Sequence, residues 1–371
     1  MIRVMQAGDW PALVEVLGRA FNLPDPARWA TFRERIGDGN FRVAIDGDTL
    51  VGGLGCYPLG QWFGGRSVPM GGLAAVGVAP ERRGEGVAAR MVADTLRWLR
   101  ETGRPLAGLY ASTQHVYRSV GFEQAGNRVA WSVPLDALHA ADRSLVATRV
   151  EAPPRELYRP AHGNLDRSEA IWQRIAVPRE GTRWFYRLGD DGYVVLGHEG
   201  DQHYDVVVFD HATHTPEAAR RFWSLLADHR SLGKNARWFG PANEPLLALL
   251  PEMRASAEKL ERWMLRVTDV PRALAMRGYA ANGVLDLSVD DPLLPENTGR
   301  WQLVVQDGEA TVSRGGRGTL LCGPRGLGPL YSGLFDAWAL RAIGLVDGDD
   351  NACAAAARLF GGPEPFMREM Y

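Results

Sequence analysis

The run Val76-Gly-Val-Ala-Pro-Glu-Arg-Arg-Gly-Glu-Gly-Val-Ala-Ala-Arg90 gathers the residue types that hold an anion. Val76 and Val78 alternate with small residues as a strand does, and Pro80, which has no N–H to donate, stops the ladder. From Gly86 onward Val87, Met91, Leu96, Trp98 and Leu99 recur at roughly helical spacing, and Gly103 and Pro105 end the run. A strand, a glycine turn and a helix start in succession aim unpaired backbone N–H groups and the positive end of the helix dipole at one spot. The glycines admit an anion close to the backbone, and Arg82 and Arg83 add charge. That chemistry suits a pyrophosphate. The spacing excludes the Gly-x-x-x-x-Gly-Lys-Ser/Thr phosphate loop and the Gly-x-Gly-x-x-Gly dinucleotide turn. Taken alone, it leaves open an ordinary strand-to-helix turn with solvated arginines.

The elements that position this turn follow on both sides. Leu106-Ala-Gly-Leu-Tyr110 reads as the next buried strand, and Ser112-Thr-Gln-His-Val-Tyr-Arg-Ser-Val-Gly-Phe122 as a short helix closed by Gly121. His115 stands two before Tyr117, so on a helix the two point different ways and the histidine belongs at the surface. Upstream, residues 2–5 read as a strand, Asp9 as the cap of a helix running through Gly18, and residues 41–45 and 50–63 as strands joined at Asp46-Gly-Asp. Gly64-Gly65 turns the chain into the strand that ends at Pro80, and residues 129–133 give a last strand.

At 371 residues the chain is long for one domain. Hydrophobic content of 46% with 23% charged residues describes a globular protein with ample core. A net charge of −2 provides no field for nucleic acid or anionic membrane. Cys56, Cys322 and Cys353 lack paired spacing, so neither a metal site nor a disulfide framework is indicated. The start of the chain has no basic segment followed by an apolar core, and no run reaches the length of a membrane span, so a cytoplasmic address is expected. The stretch 134–150 is polar and alanine-rich, and Pro153-Pro154 breaks it. Strand-like residues 192–197 and 204–209, an amphipathic helix over 216–230 and a strand over 236–240 make a second unit. A third carries strands over 283–289 and 301–306, a turn at Asp307-Gly308, a returning strand over 309–313 and a helix from Leu327. The expected units are 1–135, 136–274 and 275–371.

Arg83-x-x-Gly86-x-Ala88 resembles the coenzyme A signature Gln/Arg-x-x-Gly-x-Gly/Ala of the GNAT N-acetyltransferases, and Tyr117-x-x-x-Gly121-Phe122 resembles their tyrosine motif. The second unit resembles a GNAT layer without the Arg-x-x-Gly-x-Ala turn, so it is not expected to bind coenzyme A. The third resembles a sterol-carrier-protein-like domain. In that order the three resemble the enhanced intracellular survival (Eis) family, as do the junction Leu265-Arg-Val-Thr-Asp-Val-Pro-Arg-Ala-Leu-Ala-Met-Arg-Gly-Tyr279 and the strand Trp301-Gln-Leu-Val-Val-Gln-Asp-Gly-Glu-Ala310. The expected fold class is α+β: tandem GNAT-like domains, the second degenerate, followed by a sterol-carrier-like domain.

The resemblance implies acetyl-CoA as co-substrate. Its thioester would lie beside the strand through Val76 and Val78, with the Val78 N–H toward the carbonyl, and its pyrophosphate on Arg82, Arg83, Gly84, Gly86, Val87 and Ala88. It implies Tyr117 as the general acid for the departing thiolate, and the terminal carboxylate of Tyr371, reaching back from the third domain, as an assisting base. A free α-carboxylate titrates near about 3.5, which makes it a poor base unless burial raises that value. Phe366, Met367, Met370 and Tyr371 are apolar enough to anchor the tail or to pack at a subunit contact. The family often has Ser-Glu where this chain has Ser112-Thr113, and commonly Phe where it has Tyr371. The implied acceptor is a primary amine, an aminoglycoside or similar polyamine, in a homo-oligomer that is often hexameric. Asp25, Asp290, Asp291 and the run Asp347-Gly-Asp-Asp350 are candidates for an acidic pocket, and Phe21, Trp29 and Trp184 for its walls; each also reads as an ordinary loop or packing residue. The alternatives are a lipid or acyl-CoA binding protein, and an acetyltransferase for a protein lysine or a pathway-specific metabolite.

Overall fold

The computed structural model describes residues 1–138, 142–178 and 180–371. Part of the alanine-rich stretch expected around 134–150, residues 139–141, thus lies outside the described residues.

Two sheets organise the chain. The larger has thirteen strands. Along it lie, in spatial order, Ile2–Val4, Phe41–Asp46, Thr49–Phe63, Arg66–Val78, Leu106–Tyr110, Ser256–Val267, Glu123–Pro134, Asn235–Gly240, Tyr204–Thr213, Gly192–Gly200, Trp184–Leu188 and Ala147–Val150, with Leu165–Asp166 pairing to one side. The first and second units share this sheet. Their seam is Ser256–Val267, which runs antiparallel to both Leu106–Tyr110 and Glu123–Pro134. Its first half is exposed and its second half is buried, so Trp263, Met264 and Leu265 act as the wedge. Gly126 makes room for it, because a Cβ there would fall inside the Trp263 ring.

The first unit covers its part of the sheet with Trp10–Phe21 and Pro26–Ile36 on one face and Val87–Glu101 on the other. The last of these buries Val87, Met91, Val92, Thr95, Leu96 and Leu99. Trp98 instead lies half-buried beneath the Arg42 guanidinium, 4.1 Å from its ring centroid. Asp9 does not cap Trp10–Phe21 with its side chain. It is drawn back to Arg3 at 2.5 Å and to the Gln6 amide at 2.7 Å, where it closes the preceding 3-10 turn.

The third unit is a five-stranded sheet ordered Glu309–Arg314, Gly299–Gln306, Gly283–Val289, Leu320–Cys322 and Val346–Gly348, packed with Pro324–Ser332 and Asp350–Phe360. It is tied to the seam strand by an ion pair in which Arg266 Nη2 donates to both Asp291 oxygens, at 2.6 and 2.7 Å, with both residues fully buried. Breaking such a pair from one side leaves an uncompensated buried charge. Among the described residues no helix is long and apolar enough to cross a membrane.

Candidate active site

The site begins where two strands part. Arg66–Val78 and Leu106–Tyr110 pair in parallel only at Met70 with Leu106, Gly71 with Ala107 and Gly72 with Gly108. Beyond Gly72 the first strand bends away, because Ala75 adopts a φ of 52° and the register with its other neighbour shifts between Gly53 and Gly55. That combination is a β-bulge, which adds a residue to one strand and re-aims it. On the far side Tyr110 is held by the seam strand, opposite Trp263. A V-shaped opening results. The Ala79 amide donates to the Val51 carbonyl at 2.9 Å, and antiparallel ladders alternate, so the Val78 N–H turns away from Thr49–Phe63 toward the opening. Val76 is the second residue of the bulge, which sets Ala75 and Val76 opposite Leu54.

At the end of this strand Pro80–Arg82 forms a 3-10 turn, and Gly84 and Gly86 take φ of 84° and 72° before Val87–Glu101 begins. A side chain at either glycine would be strained by that backbone. The first helical bond runs from the Arg90 amide to the Gly86 carbonyl at 3.1 Å, which leaves the amides of Val87, Ala88 and Ala89 without intrahelical acceptors. The two arginines are not equivalent. Arg82 is paired with Asp46 at 2.6 Å and Glu85 at 2.9 Å. Arg83 is exposed, donates to the Ala20 carbonyl at 3.4 Å and has no carboxylate at ion-pair distance among the described residues. The loop thus offers outward amides and one guanidinium not neutralised by a neighbour.

Tyr117 lies on Gln114–Arg118, buried against Phe122 with ring centroids 6.0 Å apart and within the cluster that includes Val87 and Met91. Burial pushes its hydroxyl up to about 12. The turn after the helix closes at Gly121, whose amide donates to the Arg118 carbonyl, whose φ is 90° and whose Cβ would stand 2.7 Å from Arg266 and Pro324. Glu123 clamps the next turn between Arg118 and Arg325, each at 2.7 Å. His115 is exposed, as expected.

The tail enters this region from the third unit. Phe366 forms an isolated parallel bridge with Asn127, and the Phe366 and Met367 amides donate to His162 and Asn127 carbonyls. Tyr110 Oη donates to the Met367 carbonyl at 2.9 Å, and Asn164 Nδ2 to that of Phe366 at 2.7 Å. Past these bonds lies a buried ionic network. Asp210 accepts from both guanidinium nitrogens of Arg167, at 2.7 and 2.9 Å, from Arg368 at 2.5 Å and from Tyr193 at 2.7 Å, while Arg167 also reaches Glu369 at 2.6 Å. The two guanidiniums hold the Asp210 carboxyl far below the usual carboxylate range despite its burial. His211 is half-buried, and desolvation of its ring keeps it neutral; Arg368 donates to its Nε2 at 3.2 Å. The Tyr371 ring then lies edge-on to Tyr57 and Tyr110, with centroids 6.2 and 6.4 Å away.

The structure therefore brings Val76, Val78, the residue 83–88 loop, Tyr117 and Tyr371 around one split in the sheet. It does not gather the candidate acids there. Asp25 and Asp349 cap helices, Asp291 is consumed by Arg266, Asp350 pairs with Arg341, and Asp290 and Asp347 line a separate cleft in the third unit. Of the aromatic candidates, Trp29 is buried with Nε1 bonded to the Leu23 carbonyl, Phe21 is exposed 6.2 Å from it, and Trp184 lies in the second unit beside His198. The tail-holding residues Tyr57, Tyr110, Asn127, Arg167 and Asp210 went unnoticed in sequence. Their partners are distant in the chain, and no local spacing marks them.

A split parallel pair, a bulged strand and an amide-lined glycine turn leading into a helix define an acyltransferase of the GNAT class. Comparison with known proteins agrees. Residues 1–125 and 163–267 each match a family model described as an acetyltransferase (GNAT) domain, and residues 270–368 match a sterol carrier protein domain. An uncharacterized N-acetyltransferase of Streptomyces griseus is 30% identical over 79% of this chain and 79% of its own. N-acetyltransferase Eis of Mycobacterium tuberculosis is 25% identical over 92% of both chains. Among solved structures, a GCN5-related N-acetyltransferase from Anabaena variabilis covers all of both chains at 34% identity with a TM-score of 0.95, and Eis1 of Mycobacterium abscessus does so at 25% identity with a TM-score of 0.84. The chain belongs to the Eis-like N-acetyltransferases, two GNAT-type domains followed by a sterol-carrier-like domain. Acetyltransferases of this fold use acetyl-CoA.

Proposed function

We propose that the chain transfers the acetyl group of acetyl-CoA directly to a primary amine of a small molecule, an aminoglycoside or similar polyamine. The observation that carries this reading is the convergence of the outward amides at 84–88, Tyr117 and the tail on one split in the sheet. Arg83, with Arg82 held beside it, and the amides of Gly84, Gly86, Val87 and Ala88 bind the pyrophosphate. Val76 flanks the pantetheine arm, and the Val78 N–H donates to the oxyanion as the amine nitrogen bonds to the carbonyl carbon. The C–S bond then breaks. Tyr117, neutral at every physiological pH because its hydroxyl titrates near about 12, donates to the departing sulfur. A thiol near about 8.5 is the stronger acid, so the phenol acts mainly as a hydrogen-bond donor while charge develops. The ammonium proton leaves through the Tyr371 carboxylate, directly or by way of water.

Thiol release from acetyl-CoA, followed across aminoglycosides, linear polyamines and lysine peptides, tests the reading. Turnover with small polyamines is expected. Turnover confined to lysine peptides would move the acceptor to protein. No turnover at all, with tight fatty-acid binding, would favour a lipid or acyl-CoA binding protein built on the third domain. A hexameric assembly and a cytoplasmic address, both implied by the family resemblance, belong to the same proposal, and light scattering on the purified chain tests the first.

A further inference from the structure

The ring of Tyr371 occupies a seat that the sheet leaves bare for it. The last paired register before the split sets Gly72 opposite Gly108, so two residues without side chains face each other where the strands begin to part. A Cβ on Gly72 would stand 2.7 Å from Tyr371 Cε2, and one on Gly108 would stand 2.8 Å from its hydroxyl. Contacts that short do not occur between real atoms, so neither position admits even alanine while the ring is in place. Leu59 and Met70 close the seat from the flanks, at 2.8 and 2.7 Å from the same two positions. The Tyr371 hydroxyl is buried and has no hydrogen-bond partner among the described residues.

We propose that the Tyr371 ring sets the length of the acyl group the enzyme accepts, by covering the face of the sheet over the vertex of the split, on Gly72 and Gly108. The inference rests on the thioester lying beside Val78, as proposed above. With the carbonyl held there, an acyl chain longer than acetyl meets the paired strands at the vertex and has to rise onto the face over Gly72 and Gly108 or run out toward the amine. The ring blocks the first direction and the attacking nucleophile needs the second. Since the hydroxyl has no partner, its effect at the seat is one of volume rather than of hydrogen bonding. This role belongs to the side chain, so it is separable from any role of the carboxylate.

The test is Tyr371→Ala, which removes the ring and keeps the backbone. Acetyl-, propionyl- and butyryl-CoA are compared by calorimetric binding and by kcat/KM with one amine. Each methylene that enters the vacated apolar seat improves binding about fourfold, so the butyryl-to-acetyl ratio is expected to rise about tenfold or more over the parent. Tyr371→Leu, which half-fills the seat, is expected to fall between, and Tyr371→Phe is expected to keep the parent's preference. A ratio unchanged in both the Ala and Leu variants, with the tail still docked by protease protection, overturns the proposal. A shifted binding ratio in a protein that turns over no amine would leave the gauge standing and remove acetyl transfer instead.

Discussion

Replacing Asp210 by Asn tests whether the tail is held by charge. The substitution is nearly isosteric and leaves the buried Arg167 guanidinium with Glu369 alone to balance it and the half-buried Arg368 without its carboxylate partner. Removing one partner of a buried ionic network costs about 3–5 kcal/mol. Ordering the backbone of the tail costs about 1–2 kcal/mol per residue, and each neutral hydrogen bond that docks it returns only about 0.5–1.5 kcal/mol. The bonds from Asn127, Tyr110 and Asn164 roughly offset the ordering of Pro365, Phe366 and Met367. The two apolar side chains, Phe366 and Met367, add about 1.5–3 kcal/mol each by burial, so the ionic network decides whether the residues beyond them, 368–371, stay in. Losing it is expected to leave residues 368–371 mostly undocked. Arg368 then becomes a trypsin site, and mass spectrometry reads release of the residues after it. Turnover is expected to fall at least tenfold in parallel. The sign of any pH effect is fixed as well. The folded Asp210 carboxyl is depressed below its unfolded value, so its contribution is present above the ordinary carboxylate range and is lost only as pH falls through that depressed value. Docking should thus be constant from about pH 5 upward. Asp210→Asn with Arg368 still protected and turnover intact would refute the argument.

Other expectations concern the donor side. Tyr117→Phe should lower kcat by a factor on the order of 10² with the KM for acetyl-CoA little changed, and the parent should show no alkaline decline assignable to Tyr117 below about pH 11, since burial holds the phenol near about 12. Arg83→Ala should raise the KM for acetyl-CoA about tenfold or more, the worth of a charge-assisted hydrogen bond; Arg82→Ala should do less, because Arg82 is already neutralised by Asp46 and Glu85. Equal effects would show that both guanidiniums face the phosphates. Calorimetry should count one acetyl-CoA per chain, and two would give the second domain a donor site of its own.

The local half of this architecture could be read from sequence and the long-range half could not. Residues 106–110, 283–289 and the Gly84/Gly86 turn carry their own signals, a short apolar run in the first, alternation in the second and positive-φ glycines in the third. Residues 256–267 fall within the expected second unit, 136–274, with no strand read there, yet they form the strand that pairs beside Leu106–Tyr110, because strand pairing depends on which partners are free in space and not on order in the chain. Asp9 misled for a related reason: its position fits a cap, but Arg3 outbids the helix amides with a full charge. The tail was legible only as apolar. Its anchors, Arg167 and Asp210, are single charged residues of the kind that normally mark a solvated surface, and only their burial shows otherwise.

The second domain repeats the first more closely than its missing turn suggests. Tyr204–Thr213 and Asn235–Gly240 pair in parallel at Val206 with Ala236, Val207 with Arg237 and Val208 with Trp238, and then part, as Arg66–Val78 and Leu106–Tyr110 do after three pairs. In the first domain a donor would thread the opening. In the second, Arg368 spans it, donating to the Phe239 carbonyl on one strand at 3.3 Å and to the His211 carbonyl on the other at 3.0 Å, with Asp210 beneath. Three residues later the same tail sets Tyr371 at the vertex of the first split. A strand edge opened inside a sheet exposes backbone groups that need partners. Here the guanidinium supplies them to one carbonyl on each strand. The second domain thus has a structural reason to keep its split: the opening is the socket that fixes the tail, and through it the ring of Tyr371 against Gly72 and Gly108.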